Sequence, residues 1–256
     1  MRVLVVTAVP AESEAVTAGL RAAHPAPDTS DAPESVPLPG RTLLRVPCPA
    51  PGGGAPGAGL VVDVLAGGVG PGASAAATAG AVMAAALHGH PYDLVVSAGI
   101  GGGFAGTAPV GSVVVADTIV AADLGAETPE GFLPVTELGF GTSAHRPPAA
   151  LSRALAAAAP AASGPVLTVS TVTGSAARAA ELAARCPGAA AEAMEGFGVA
   201  EAAAAHGVPV LELRAVSNPV GPRDRAAWRI GPALTALSGA CGALVSVLHA
   251  WEGPVS

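Results

Sequence analysis

Leu94-Val95-Val96-Ser97-Ala98-Gly99-Ile100-Gly101-Gly102-Gly103 is the stretch on which the fold turns. Leu94 to Ser97 carries no charge and is mostly aliphatic, the pattern of a strand buried on both faces. It runs directly into a glycine-rich loop, Gly99 to Gly103, which permits close backbone approach. The same grammar recurs upstream, where a strand over Leu60–Leu65 reaches Gly67-Gly68-Val69-Gly70-Pro71-Gly72 and an Ala-rich helix follows from Ala73 to about Leu87. At the start of the chain Val3–Val6 reads as a strand ending at Thr7-Ala8. A helix over Ala11–Ala23 follows, with Pro10 near its first turn. Downstream, strands are predicted at Val113–Ala116, Val166–Val169 and Val210–Leu213, and helices at Ala149–Ala159, Ser175–Cys186 and Glu195–His206. Strands alternating with helices imply a mostly parallel sheet covered on both faces, with ligands at the carboxyl ends of the strands. Pro25 to Gly59 is rich in Pro and Gly, with a possible strand at Arg41–Val46. It reads as a surface excursion or an irregular hairpin without chemistry.

Residues 1–256 are expected to form one large domain, and 51% hydrophobic residues supply an ample core. With aromatics at only 3%, the helices must pack closely on small side chains. A net charge of −7 and the lack of any Lys/Arg cluster argue against nucleic acid. Cys48, Cys186 and Cys241 show neither metal-ligand spacing nor a disulfide framework, which suits a reducing cytoplasm. Neither a metal nor an organic cofactor is expected. The apolar start meets Glu12 too early for a signal peptide. Ile230 to Trp251 is uncharged, but its large apolar residues recur at three- and four-residue spacing, as in a packed helix, so no membrane partner is expected. The protein is expected in the cytoplasm.

The glycine turn at Gly67–Gly72 lacks credible dinucleotide spacing, and alone it is a tight turn. No Gly-Lys-Ser/Thr phosphate loop is present. The informative stretch is Glu192-Ala193-Met194-Glu195-Gly196-Phe197-Gly198, followed by Leu211-Glu212-Leu213-Arg214-Ala215-Val216-Ser217-Asn218. Glu195 opens a helix. Its local pattern favours a helix N-terminal charge, the other reading being a carboxylate that accepts from ligand hydroxyls. Ser217-Asn218 sits just past a buried strand, where an amide reaches a ligand in the crevice.

Taken together, Met194-Glu195, the Arg214–Asn218 strand end, the Ala98–Gly102 loop and the start Val3–Glu12 resemble the nucleoside phosphorylase/nucleosidase superfamily. The nearest branch is the bacterial nucleosidases acting on methylthioadenosine, S-adenosylhomocysteine and futalosine. The resemblance implies a single-domain three-layer α/β/α sandwich around a central mixed, mostly parallel twisted sheet, in a homodimer or larger homo-oligomer. It implies that Glu12 acts on the attacking water, with Glu14 as its rival. Glu195 binds the ribose hydroxyls with Met194 packed on the sugar, and Asn218 takes the place of an Asp that protonates N7 of adenine. Gly99, Ile100, Gly101 and Ser217 fall in the binding loops, Ile100 replacing a Ser. The backbone around Val172 meets the base edge, and Trp228 closes over the ligand.

Phosphorylases of this superfamily hold phosphate with arginines and a loop near the first strand. Here that loop, Thr7–Glu12, has no basic residue and one added carboxylate, which favours hydrolysis. A neutral amide at Asn218 donates toward O6 or N7 of hypoxanthine, which an ionised Asp would repel. A purine nucleoside is therefore the expected partner, with futalosine, a hypoxanthine nucleoside of alternative menaquinone biosynthesis, as the leading substrate. Arg223 or Arg225 would meet its aromatic carboxylate. A methylthioadenosine-type or broader nucleosidase and a non-catalytic nucleoside-binding relative stay open as alternatives.

Overall fold

The computed structural model describes residues 1–24, 33–50, 59–251 and 253. Strand β1 (Arg2–Thr7) leads into helix α1 (Pro10–Ala22), then β2 (Glu34–Leu38), β3 (Arg41–Cys48), β4 (Leu60–Ala66) and α2 (Pro71–Leu87). Next come β5 (Leu94–Gly103), β6 (Val113–Ala121), β7 (Gly125–Thr128), β8 (Gly131–Pro134), β9 (Ala144–His145) and α3 (Ala149–Ala158). They are followed by β10 (Ala162–Thr168), α4 (Ala176–Arg185), β11 (Ala191–Ala193), α5 (Gly196–Ala205), β12 (Val210–Pro219) and α6 (Ile230–Ala250).

Every strand except β7 and β8 joins one mixed sheet, in the order β11-β10-β6-β12-β5-β1-β4-β3-β2 with β9 on β6. The longest pairings are parallel: β12 with β5, β10 with β6 and β1 with β4. Antiparallel pairing joins β12 to β6, and β11 also pairs antiparallel with β5. That last pairing closes β11, β10, β6, β12 and β5 into a ring.

Period-two alternation sorts the strand residues between two faces. Val3, Val5, Val96, Leu211 and Leu213 pack with Val16 and Leu20 of α1, Leu151 and Leu155 of α3 and the stripe Leu237, Cys241, Leu244, Leu248 of α6. Leu4, Val6, Val95, Val114 and Val210 pack on the opposite face with Ala77 and Ala81 of α2 and Phe197 and Ala203 of α5. Helices on both sides of the sheet make three layers. The long apolar α6 thus packs its stripe into the core. There it lies so close to α1 that a side chain at Gly19 would collide with the Ser238 carbonyl.

Three expectations need correction. Gly99–Gly103 is not a loop after the strand but its second half, for β5 continues to Gly103. The glycines are needed because neighbours press on the strand: a Cβ at Gly101 would lie 2.7 Å from the Glu192 carbonyl oxygen, and one at Gly103 2.7 Å from Val216 Cγ1. Likewise Ser217 and Asn218 do not follow a strand but end β12. The register slips between Val216 and Asn218, a bulge that offsets the alternation and re-aims the last side chains. In the Pro/Gly-rich stretch β2 and β3 form a hairpin of regular register that joins the sheet through β4, neither a surface excursion nor an irregular hairpin, while residues 25–32 and 51–58 lie outside those described.

Candidate active site

Helix α1 begins where β1 ends, and Glu12 stands at its third position. Its carboxylate turns back over the helix start, as in a capping box: Oε2 accepts from the Ala8 and Val9 N–H groups at 2.9 and 3.2 Å. Oε1 reaches across to β5 and accepts from the Ile100 N–H at 2.8 Å. Ile100 serves this carboxylate through its backbone, while its side chain packs on the core beneath α1 and α6. Glu12 is buried and Glu14 exposed, which separates the two rivals by position. Gly99 has no side chain for a steric reason. A Cβ there would stand 2.7 Å from both Glu12 Oε1 and Arg214 Nη1.

Glu195 is the residue before α5, yet its side chain does not cap that helix. Oε1 accepts from the Gly70 N–H at 3.2 Å, and Oε2 from the Met194 N–H at 3.3 Å and from Arg214 Nη1 at 3.2 Å. The turn at Gly67–Gly72, read from sequence as a mere tight turn, therefore contributes a donor to the site. Met194 is half-buried beside it.

Arg214 organises this cluster, and the sequence reading assigned it no role. The side chain is buried within β12, with Nε donating to Glu212 Oε1 at 2.9 Å and Nη2 to Ser97 Oγ at 2.8 Å. Burial disfavours its charge, but Glu212, Glu195 and Glu12 outweigh that and hold the guanidinium above its ordinary pKa. Burial pushes the Glu212 carboxyl up; Arg214 opposes the shift and Glu195 adds to it. A signal was available. An arginine in a strand buried on both faces must be paired, so Arg214 within Val210–Val216 demanded partners.

The far side of the site lies at the end of β12. Ser217 Oγ stands 2.8 Å from Asn218 Oδ1 and 3.2 Å from the Gly101 carbonyl, and Asn218 Nδ2 donates to the Pro219 carbonyl at 3.0 Å. This leaves Asn218 one amide hydrogen for another acceptor. Val172 sits in a segment held by Glu192, a buried carboxylate that accepts from both the N–H (2.9 Å) and the hydroxyl of Thr173. Burial raises the Glu192 pKa against those two bonds. The Arg229 N–H donates to the Ser217 carbonyl at 2.8 Å, which pins half-buried Trp228 beside the end of β12. Arg223 and Arg225 are exposed, their guanidinium groups 5.4 and 5.9 Å from the Trp228 ring centre, at the rim rather than in the carboxylate cluster.

The three cysteines are free, and burial pushes the thiols of Cys48 and Cys241 up to about 12. Among the described residues no group of three or more His, Cys, Asp or Glu is placed to hold a metal.

Residues 34–246 match the family model described as the Phosphorylase superfamily. The chain is 65% identical to a futalosine hydrolase of Streptomyces coelicolor over 98% of both sequences. It is 45% identical to a futalosine hydrolase of Acidothermus cellulolyticus, covering 94% of this chain and 89% of that one. Its fold matches a 5'-methylthioadenosine/S-adenosylhomocysteine nucleosidase from S. pneumoniae with a TM-score of 0.76, at 19% identity over 97% of this chain and 100% of that one.

Proposed function

The chain belongs to the phosphorylase superfamily, and from that premise we propose that it hydrolyses the N-glycosidic bond of futalosine, releasing hypoxanthine and dehypoxanthine futalosine. The observation that carries this reading is the convergence of two buried carboxylates, Glu12 and Glu195, on one guanidinium across the bare backbone of Gly99. The 65% identity to a futalosine hydrolase supports the choice of substrate.

Cleaving the C–N bond builds positive charge on the ribose and negative charge on the base, so both ends need stabilising. The carboxylates around Arg214 outnumber it. The site thus favours a developing ribosyl cation and disfavours an anionic nucleophile such as phosphate. Within this reading Glu12 accepts the proton of the attacking water. Its Oε2 is filled by two N–H groups, whereas Oε1 holds only one and keeps a free lone pair. Glu195 retains acceptor capacity on Oε1 for ribose hydroxyls, with Met194 against the sugar. Asn218 uses its remaining amide hydrogen at N7 or O6 of the leaving base, and the segment around Val172 lies along the base edge. Trp228 covers the ligand, and Arg223 and Arg225 meet the aromatic carboxylate at its far end. The proposal extends to the cytoplasm and to a homodimer or larger homo-oligomer, for which the exposed Met83 and Leu87 of α2 offer apolar surface.

The test is incubation with futalosine, aminofutalosine, inosine and methylthioadenosine in phosphate-free buffer, with the released base quantified. Hypoxanthine from futalosine alone is expected. Adenine from methylthioadenosine would instead assign the broader nucleosidase, and no release from any substrate a nucleoside-binding protein.

A further inference from the structure

Glu212 is a fully buried carboxylate for which the mechanism above has no use. It lies two residues before Arg214 on the same strand, so period-two alternation puts both side chains on one face. Oε1 takes the Arg214 Nε proton at 2.9 Å, while Oε2 has no hydrogen-bond partner among the described residues. The group is wedged against the start of α5, where any side chain at Gly196 would collide with both carboxylate oxygens. Burying a carboxylate with one oxygen unfilled is costly. Merely pairing Arg214 does not require it, since Glu195 already does that.

What Glu212 adds is orientation and charge. A guanidinium is a rigid planar fork. With Nε held by Glu212 and Nη2 by Ser97, the remaining Nη1 is aimed at Glu195. The charged groups facing Arg214 are Glu212 on its own strand, Glu195 before α5 and Glu12 from α1, and β5 contributes the neutral Ser97. We infer that Glu212 is a positioning residue of the hydrolytic site: it fixes the rotation of Arg214 and supplies the counter-charge that keeps Arg214 from neutralising Glu12 and Glu195. This inference rests on the proposed hydrolysis.

Glu212→Gln and Glu212→Asp separate the two contributions, with kcat and KM for futalosine followed across pH. Glu212→Gln keeps an acceptor for Nε but removes the charge. Its kcat is expected to fall about tenfold with a smaller change in KM. The acid limb of its kcat profile should move down by about one pH unit, because loss of a negative neighbour favours ionisation of the remaining carboxylates. Glu212→Asp keeps the charge on a shorter arm, so kcat falls while the acid limb stays. A glutamine variant with wild-type kcat and an unmoved limb overturns the inference while leaving the hydrolase reading intact. Should the glutamine variant not fold, an aspartate variant with unaltered kcat overturns it instead. A wild-type protein that releases no base from any of the four nucleosides overturns the hydrolase reading, and this inference with it.

Discussion

Two buried clusters in this molecule pair carboxylates with arginines, and they are balanced in opposite ways. Beneath the β2–β3 hairpin, Asp63 of β4 is fully buried and paired at both oxygens. Oδ1 takes Arg45 Nε at 2.9 Å, and Oδ2 takes Arg2 Nη2 at 2.7 Å, Arg45 Nη2 at 3.0 Å and the Tyr92 hydroxyl at 2.7 Å. One acid there meets two guanidinium groups and a phenol. At the carboxyl ends of β1 and β5 the ratio inverts: Arg214 pairs with Glu195 and Glu212 and has Glu12 nearby, three acids around one guanidinium. In the first cluster the one acid is outnumbered by its cations, and the cluster ties the hairpin to the sheet. The second keeps negative charge and open lone pairs in a buried place, which serves stability poorly and a cationic transition state well. Charge balance, more than burial, tells a structural ion cluster from a chemical one.

Exchanging the two roles by mutation is the harshest trial of that contrast. Glu12→Gln is expected to lower kcat about a thousandfold, measured as base release at saturating futalosine, and to leave denaturant stability almost unchanged. Asp63→Ala strands two arginines and a phenol, and is expected to cost ~3–5 kcal/mol in urea unfolding while the folded fraction keeps its kcat. Were Asp63→Ala to abolish turnover in folded protein, the contrast would collapse. Gly99→Ala sharpens it from the backbone side. Its methyl group intrudes between Glu12 and Arg214, and a displacement on that scale is expected to reduce kcat/KM about a hundredfold. At the base end, Asn218→Asp should lower kcat/KM for futalosine roughly thirtyfold relative to aminofutalosine, read by competition between the two substrates. Smallest is the rim: Arg223→Ala with Arg225→Ala should raise KM for futalosine about fivefold, leaving kcat and the KM for inosine unaltered, as exposed charges contribute little. An unchanged futalosine KM would remove both arginines from the site.

Much of this could be read in the chain. The core strands announce themselves through uncharged aliphatic runs, and the helices through their spacing and capping positions, Pro10 at the start of α1 and Ser175 before α4. The short strands β2, β7, β8, β9 and β11 escaped notice, because two to five residues carry too little hydrophobic periodicity. Within the site, Glu195 is legible as an acid at a helix start, and the roles of Glu12 and Glu195 only through the family resemblance. Arg214 and Glu212 stand in the same motif, yet nothing local says which acids an arginine will meet. The backbone donors at Gly70 and Ile100, and the Glu192–Thr173 bond behind Val172, were likewise out of reach.

By itself, then, the sequence determined the layers and the end of the sheet where chemistry collects. Alternation and glycine-rich strand ends are short-range properties, expressed within a few residues. Only the tertiary structure decided which acid faces inward, why residue 99 must lack a side chain, and that three carboxylates gather around one guanidinium. Those facts depend on strand order, which sets β12 beside β5 and β5 beside β1. They also depend on a bulge and on close backbone approaches whose energies arise between residues far apart in the chain.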